Sequence, residues 1–473
     1  MFGFIETMKR FPTFVTCCSV LLASNLFSSL LLGQEFETAK HQNWHQWRGP
    51  TAAGVASLGN PPVEWSNETN IKWKFQIAGE GSSTPIVWQN QVFVLSAIET
   101  DRKRDAEPKI DREAKTVPPP HILQFVVWCL DRATGHLLWK KIVTETAPHE
   151  GRHHSTTYAA ASPTTDGQRI YASFGSYGIF CLTMKGDLVW EKDIGDMRTR
   201  RGWGEAVSPV IHDGKLIVNW DQEDQSKIFV FAANNGDLIW QKDRDEPTTW
   251  ATPLVTIANE KTQLITNGTN SIRSYDLDNG EIIWETRGTT LNAIPSPVRS
   301  GNNVICMAGY RGNLAIAISL NSKGRINHEK VGPDQPVKWK LVRQMPYVPS
   351  PVLVGNRLYF TKSNVAILSC HDAATGEMLY RNAQGNEQSI RLAGLKNMYA
   401  SPVAVADRIY LTSREGVTLV IRNSPKLEVL ATNRLGEAVD ASPAIAGNQM
   451  FIRGKRHLYC IEQTDPAAEL SSQ

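Results

Sequence analysis

Short runs of apolar residues recur along the chain, each bounded by polar or turn-forming positions and most opened by a small residue followed by proline. Eight dipeptides of this kind occur: Thr84-Pro85, Ser162-Pro163, Ser208-Pro209, Thr252-Pro253, Ser296-Pro297, Ser350-Pro351, Ser401-Pro402 and Ser442-Pro443. Successive copies lie 78, 46, 44, 44, 54, 51 and 41 residues apart. A period in the forties is typical of a repeat that forms one four-stranded sheet.

The third repeat contains the full pattern of such a sheet. Four strand-like segments follow one another: 208–212, Lys215 to Trp220, Lys227 to Ala232, and Asp237 to Trp240. The third and fourth are joined by Asn234-Asn235-Gly236, and Asn and Gly tolerate the positive φ of tight hairpin turns. The order strand, turn, strand predicts an antiparallel meander. Proline at the start of the first strand removes a hydrogen-bond donor, which favours an edge position.

A turn and an aromatic residue recur before and within the fourth strand of these repeats. The aromatic residues at this equivalent position are Trp139, Trp190, Trp240, Trp284 and Tyr380. One large flat side chain per repeat suits the seam between neighbouring sheets. The eighth repeat lacks a fourth strand, and residues 70–77, which carry Trp73, can supply it from the other end of the chain.

These observations predict an all-β fold, an eight-bladed β-propeller of four-stranded antiparallel blades. Pairing of N- and C-terminal strands closes the ring and removes the exposed edges of an open sheet. Seven blades are the alternative, if two copies of the dipeptide share one blade.

The segments outside the repeats divide the chain further. We expect a secretory signal peptide over 1–33, an N-terminal extension over 34–64, the propeller over 65–465 and a tail over 466–473. An uncleaved N-terminal anchor is the alternative to a removed signal. The charged, proline-containing stretch 101–121 is interpreted as an exposed loop insertion in the first blade.

Cysteine and charge exclude several classes of protein. Cys129, Cys181, Cys370 and Cys460 end the third strand of four different repeats, too far apart for disulfides, and Cys306 lies in a second strand. We therefore expect small buried thiols. A net charge of +3 does not favour nucleic-acid binding. No set of His and Cys residues along the chain has the spacing of metal ligands, so we predict no metal site. A monomer without a membrane span after signal removal is expected.

The repeat Asp131-Arg-Ala-Thr-Gly135-x-x-x-Trp139, with the Ser-Pro openings and the segment 173–178, resembles the pyrroloquinoline quinone (PQQ) repeat of quinoprotein-like propellers. The resemblance covers roughly 65–462. It implies the propeller fold, and the family contains both PQQ-dependent dehydrogenases and non-enzymatic members, including a lipoprotein that helps to assemble outer-membrane proteins. The vicinal disulfide of the dehydrogenases has no counterpart after the signal, so no catalytic residue is carried over.

Ligands of propellers usually lie over the central channel, on the loops that precede the innermost strands. The candidate residues on these loops are Arg152, His154, Trp203, Glu205, Trp250, Asn292, Arg343, Tyr347, Tyr399 and Asp440. Arg152, Arg201 and Arg343 could pair with an anionic ligand such as PQQ. Either His153 or His154 could act as a base, and at most one of them should face the channel, because adjacent side chains of an extended segment diverge.

The remaining candidates suit other ligand groups: Trp203 and Trp250 offer stacking faces, and Glu205, Asn292 and Asp440 offer oxygen ligands for calcium. Two functions follow from these loops. The first is an exported propeller that binds a protein or polymer partner and does no chemistry. The alternative is a PQQ- and calcium-dependent dehydrogenase of alcohols or sugars.

Overall fold

The structure, a computed structural model, describes Gly3, residues 34–108 and residues 112–464. The expected signal, apart from Gly3, and the tail over 466–473 lie outside these residues. The chain forms two units, Met1–Ala39 and Lys40–Gln473, and 34–39 of the first are helical. Among the described residues, no helix is long and apolar enough to cross a bilayer.

In its described residues, the second unit is built from strands, with three short 3-10 helices at Lys40–Gln42, Gly175–Tyr177 and Arg200–Gly202. Its strands form eight antiparallel sheets, which we number as blades 1 to 8. Blade 1 contains Ile86–Trp88, Gln91–Lys103, His121–Asp131 and Leu137–Thr146. Blade 2 contains Thr164–Thr165, Arg169–Ser173, Ile179–Thr183 and Leu188–Lys192. Blade 3 contains Val210–His212, Lys215–Trp220, Ser226–Ala232 and Leu238–Arg244. Blade 4 contains Leu254–Ala258, Lys261–Thr266, Ser271–Asp276 and Ile282–Arg287.

The second half of the ring repeats the same order of strands. Blade 5 contains Val298–Ser300, Asn303–Ala308, Leu314–Ser319 and Val337–Leu341. Blade 6 contains Val352–Val354, Arg357–Thr361, Ile367–Asp372 and Ile390–Arg391. Blade 7 contains Val403–Val405, Arg408–Thr412, Val417–Arg422 and Val429–Arg434. Blade 8 contains Ala444–Ala446, Gln449–Arg453, His457–Ile461 and, as its fourth strand, Ile71–Gln76. The strands Gly324–Arg325 and Val55–Ala56 add in parallel to blades 4 and 7.

The ring closes as the sequence predicts. Ile71–Gln76 pairs antiparallel with His457–Ile461, and Trp73 lies opposite Cys460 in the register. The eight-bladed prediction is confirmed, and the alternative of seven blades is wrong, because each of the eight small-Pro dipeptides precedes the first strand of its own blade.

The predicted aromatic residues lie at the seams between blades. The indole Nε1 of Trp139 in blade 1 donates to Met184 O in blade 2 over 3.0 Å, and the ring covers Gly186 of the blade 2 turn. Four other tryptophans make the equivalent bond to the next blade: Trp73, Trp190, Trp240 and Trp339. Each of these rings also packs on a glycine of the next blade, which leaves no room for a Cβ. These five seams therefore each combine a tryptophan with a glycine of the next blade.

Two of the predicted seam residues depart from this arrangement. Trp284 and Tyr380 are fully buried, yet the indole Nε1 and the phenolic oxygen have no hydrogen-bond partner within the described part of the chain. Trp339, which the sequence reasoning did not single out, occupies the seam position in blade 5.

All five cysteines of the described residues are free and buried, in agreement with the sequence reasoning. Burial raises the pKa of the Cys129 thiol to about 12, so it stays protonated. Cys129, Cys181, Cys370 and Cys460 lie in the third strands of their blades, and Cys306 lies in a second strand. They contribute small apolar volume to the core.

The insertion over 101–121 is a loop with strand at both ends. Positions 101–103 and 121 extend the second and third strands of blade 1. Most of its described residues are exposed, but its far end contacts the loop before blade 3: Lys115 N donates to Arg201 O over 2.9 Å, and Thr116 Oγ1 donates to Gly202 O. The insertion thereby reaches the mouth of the ring.

Candidate functional site

The small-Pro repeats form a ring of hydrogen bonds around the channel. The backbone N–H of one copy donates to the hydroxyl of the next copy over 2.8–3.2 Å. Six such bonds occur, donated by Thr84, Ser162, Ser208, Ser296, Ser350 and Ser401. These N–H groups lie at the inner edge of each blade, where no further strand can accept their hydrogen bonds. The hydroxyl of the next small-Pro copy serves as the acceptor instead. The repeat also places hydroxyl groups around the axis.

A cavity of about 430 Å3 lies at the axis above this hydroxyl ring. We call it the axial cavity. Its walls are largely aromatic, formed by Trp203, Trp250, Tyr310, Tyr347 and Tyr399. Serine and threonine side chains of the small-Pro repeats complete it: Ser208, Thr252, Ser296, Ser350, Ser401 and Ser442. The volume and the mixture of aromatic walls with a few polar groups are those of a small-ligand pocket.

The aromatic walls are held in place by their own contacts. The rings of Tyr310 and Tyr347 stack with centroids 4.7 Å apart, and those of Trp203 and Trp250 lie 6.4 Å apart. Trp250 Nε1 donates to Gly204 O over 2.7 Å, so this indole is fixed. The Asn292 amide donates to the Tyr347 hydroxyl over 3.3 Å, although burial leaves Asn292 Oδ1 without a partner.

The axial cavity carries little net charge. Its one acidic lining residue is Asp440, whose two carboxylate oxygens accept from Arg414 over 2.5 and 3.1 Å. Arg414 also lies over the Tyr399 ring, 4.1 Å from its centroid, and the bonds to Asp440 raise the pKa of this guanidinium. Burial, followed by the nearby His154 and Arg414, lowers the pKa of His153, which favours its neutral form.

The N-terminal extension provides the lower lining of the axial cavity. Trp44 pairs with Val87 of blade 1, and the indole of Trp47 donates to Ser296 Oγ over 3.0 Å. The Ser296 hydroxyl does not accept a backbone N–H from the preceding copy, Thr252, and bonds to Trp47 instead. The sequence reasoning did not place this segment in the channel. The available signal was a pair of tryptophans in a stretch outside the repeats.

Arg48 fixes this segment across the channel. Its guanidinium donates to Pro402 O over 2.7 Å, to Pro351 O and to Ala53 O over 3.2 Å. The residue is 1% exposed, and burial lowers its pKa to about 9. Arg48 of the extension is therefore the hydrogen-bond donor to the carbonyls of two small-Pro dipeptides, those of Pro351 and Pro402.

A second, basic hollow of about 470 Å3 adjoins the axial cavity, and we call it the basic groove. Its basic side chains are Lys115, Arg152, His153, His154 and Arg201. Trp203 and two further residues of the insertion, Thr116 and Val117, complete the lining. His153 and Trp203 line both hollows. The rings of His153 and His154 lie 4.1 Å apart, and only His153 lines the axial cavity. Their side chains stay together because 151–158 form turns and irregular backbone rather than a strand.

Two glutamates of the rim, the half-buried Glu205 and the buried Glu246, fasten the loops to each other. Glu205 Oε2 accepts from Ser176 N over 2.9 Å, and Oε1 accepts from Ser176 Oγ over 2.6 Å. Glu246 accepts the N–H groups of Asn270 and Ser271, both over 2.8 Å. Burial raises the pKa of Glu205 to about 8 and that of Glu246 to about 7. Carboxyls used in this way are part of the scaffold.

The structure separates the ten candidate residues into three groups. Trp203, Trp250, Tyr347, Tyr399 and Asp440 line the axial cavity. Arg152 and His154 line the basic groove, where Arg152 also pairs with Glu80. Glu205, Asn292 and Arg343 line neither hollow: Asn292 is buried, Glu205 is half-buried, and Arg343 is exposed.

Tyr310, Lys115 and Arg414 belong to the mouth but were not predicted. They lie on connections between the second and third strands of blades 5, 1 and 7. In an antiparallel meander these connections leave from the same end of the sheet as the loops between blades. That rule was available from the sequence alone.

The residues present do not fit a PQQ–calcium centre. Of Glu205, Asn292 and Asp440, only Asp440 lines the axial cavity, and its carboxylate is paired with Arg414. Among the described residues, no group of three or more His, Cys, Asp or Glu side chains is arranged to hold a metal ion. Among the described residues that line the axial cavity, there is no arginine to pair with the carboxylates of a quinone.

Residues 124–382 match the family model of the outer membrane protein assembly factor BamB. Two quinohemoprotein alcohol dehydrogenases have similar structures. The one from Comamonas testosteroni is 10% identical, with a TM-score of 0.61 over 90% of this chain and 82% of that one. The enzyme ADHIIG from Pseudomonas putida HK5 is 11% identical, with a TM-score of 0.53 over 91% of this chain and 82% of that one.

BamB from Moraxella catarrhalis is 14% identical, with a TM-score of 0.48 over 77% of this chain and 98% of that one. No curated protein matches the sequence significantly. At such low identities, the likeness to the two dehydrogenases shows the propeller fold and does not distinguish an enzyme from a binding protein.

Proposed function

The chain belongs to the family of the outer membrane protein assembly factor BamB, a family of PQQ-repeat β-propellers, and from this premise we propose that it is an exported binding protein. It receives part of a protein or polymer partner at the mouth of the ring and does no redox chemistry. The expected signal over 1–33, which lies outside the described residues, supports export.

The observation that carries this proposal is the chemistry of the axial cavity. Its walls are aromatic, and the Asp440 carboxylate is already neutralised by Arg414. Aromatic side chains supply a large contact area at low cost in conformational entropy, and such residues dominate the energetics of recognition sites. A cavity of this kind favours binding over acid–base or metal chemistry.

The experiment compares two properties of the purified protein. In the first arm, the protein is mixed with PQQ and calcium, and dye reduction is followed with ethanol and with glucose. We expect no reduction above a protein-free control. Reduction that depends on the protein would contradict the proposal and favour the dehydrogenase.

The second arm measures retention of partners from the exported fraction on the immobilised protein. Variants Trp250→Ala and Tyr347→Ala remove cavity walls, and Val429→Ala on the outer strand of blade 7 serves as the control. We expect the two cavity variants to lose the retained partner, and the control to keep it. Equal retention by all three variants would assign partner binding to another surface.

A further inference from the structure

The axial cavity and the basic groove share one wall. Trp203 and His153 line both, and the backbone N–H of His153 donates to Trp203 O over 3.1 Å. The ring centroids of His153 and Trp203 lie 5.9 Å apart, nearly edge to face. One ligand can therefore occupy both hollows and contact Trp203 along its length.

The axial cavity suits a neutral, hydroxylated ring. The hydroxyls of Ser350, Ser401 and Ser442 each accept a hydrogen bond from a backbone N–H. The hydroxyl proton of each serine therefore remains available to donate to a ligand in the axial cavity. Above them stand the faces and edges of five aromatic rings. The C–H face of a sugar ring packs on such aromatic faces, and its hydroxyls satisfy the polar groups below.

The basic groove suits an anion. Lys115 and Arg201 both line it, and neither has a carboxylate partner in the described part of the chain. Arg201 lies over Trp203, 5.7 Å from the ring centroid, and has a left-handed backbone with φ of 57°. By contrast, Arg152 in the same groove already pairs with Glu80. Two unneutralised cations on one wall favour a carboxylate or sulfate group.

We propose that these two hollows form one site for an anionic saccharide, with a sugar ring in the axial cavity and its carboxylate or sulfate ester on Lys115 and Arg201. This inference rests on the proposed function and names the class of its polymer partner. Lys115 lies at the far end of the insertion, so this end, residues 115–117, forms part of the binding site.

The charge distribution separates this class from two others. A planar polyanion such as PQQ would bring carboxylates into the axial cavity, whose lining among the described residues contains no arginine to pair with them. An acidic peptide could occupy the basic groove, but it would leave the hydroxyl ring and much of the aromatic wall without partners. The ring-plus-anion combination uses both hollows.

The test is isothermal titration calorimetry on the full folded protein with four probes. Trigalacturonate carries carboxylates, a heparin-derived tetrasaccharide carries sulfates, maltotriose is neutral, and hexaglutamate is an anionic peptide. We expect one or both acidic saccharides to bind at least tenfold more tightly than maltotriose and hexaglutamate. The advantage should shrink between 50 and 500 mM salt, since screening weakens the contact to exposed charges.

Variants assign the binding to the two hollows. Lys115→Ala and Arg201→Ala should each weaken acidic saccharide binding about tenfold and reduce its salt dependence, whereas the control Lys141→Ala, on the outer strand of blade 1, should not. Trp203→Ala should abolish it. Lys115 is exposed, so its variant tests the groove even if Trp203→Ala fails to fold.

Tight binding of hexaglutamate alone would overturn the proposal in favour of an acidic peptide. Binding of neither acidic saccharide above maltotriose, or binding that Lys115→Ala and Arg201→Ala leave unchanged, would also overturn it. If partner retention still depends on Trp250 and Tyr347 in that case, the proposed function stands and only the saccharide assignment fails.

Discussion

At the scale of single residues, the surroundings of a side chain decide what it does more than its chemical type. Glu205 has the residue type of a calcium ligand or general base, but its half-buried carboxyl is bonded to Ser176. Asp440 does line the axial cavity, yet Arg414 neutralises it. The sequence identifies the loop on which an acid lies, but not whether that acid faces the channel or the neighbouring loop.

The raised pKa of Glu205 predicts a pH dependence of stability. In the unfolded chain Glu205 loses its proton near its ordinary pKa of about 4.3, whereas in the folded protein it keeps the proton up to about 8. The unfolded state therefore binds fewer protons between these values, and the free energy of unfolding falls as the pH rises through this window.

Replacing Glu205 by Gln should remove this contribution. We expect the variant to lose less stability than the wild type between pH 5 and pH 8, by roughly 1–3 kcal/mol, in urea unfolding followed by tryptophan fluorescence. The exposed Glu68→Gln variant is the control and should keep the wild-type profile. A wild-type profile in Glu205→Gln would mean that Glu205 is ionised in the folded protein at neutral pH.

At the scale of elements, five of the seams between blades contain a tryptophan that covers a glycine. Gly236 has φ of 74°, and an added Cβ would lie 2.9 Å from the Trp190 ring of the preceding blade. Gly214 has a similar φ of 67°, but no atom lies within 4 Å of its would-be Cβ. Comparing alanine substitutions at Gly236 and Gly214 separates the cost of backbone strain, which both positions share, from the cost of the seam contact, which only Gly236 makes.

Gly236→Ala should be less stable than Gly214→Ala. Both lose about 1 kcal/mol from the left-handed backbone, and Gly236→Ala loses a further 1–3 kcal/mol because the Trp190 ring must move. Thermal unfolding of the two variants measures the difference. Equal destabilisation would show that the seam accommodates a methyl group freely.

The N-terminal extension is an element in its own right, and Arg48 is its anchor. Arg48→Ala removes the donor to two buried carbonyls, of Pro351 and Pro402, and to the partly buried carbonyl of Ala53, and leaving a buried group unsatisfied costs about 1–3 kcal/mol. We expect a loss of at least about 2 kcal/mol in urea unfolding. Arg299→Ala, an arginine with partners near the surface, should cost less than 1 kcal/mol. Similar losses in both would contradict the role of Arg48 as the anchor.

At the scale of the whole molecule, the closed ring depends on a strand from the opposite end of the chain. A chain that begins at residue 66 keeps Ile71–Gln76 and should remain folded, although it loses the channel segment. A chain that begins at residue 80 leaves the edge of His457–Ile461 unpaired, and exposed edges promote association. We expect the shorter chain to unfold with lower cooperativity and to aggregate in size-exclusion chromatography. Equal stability of the two chains would contradict closure by this strand.

The sequence by itself determined the number of blades, the closing strand, the seam position and the loops that form the mouth. It could do so because a repeat places equivalent residues at equivalent positions, and Trp139 and Trp190 therefore predict each other's surroundings. Only the tertiary structure placed Trp47 and Arg48 in the channel, paired Asp440 with Arg414, and brought Lys115 beside Arg201. Those contacts join segments that no repeat relates, over separations that local pattern does not encode, so packing alone decided them.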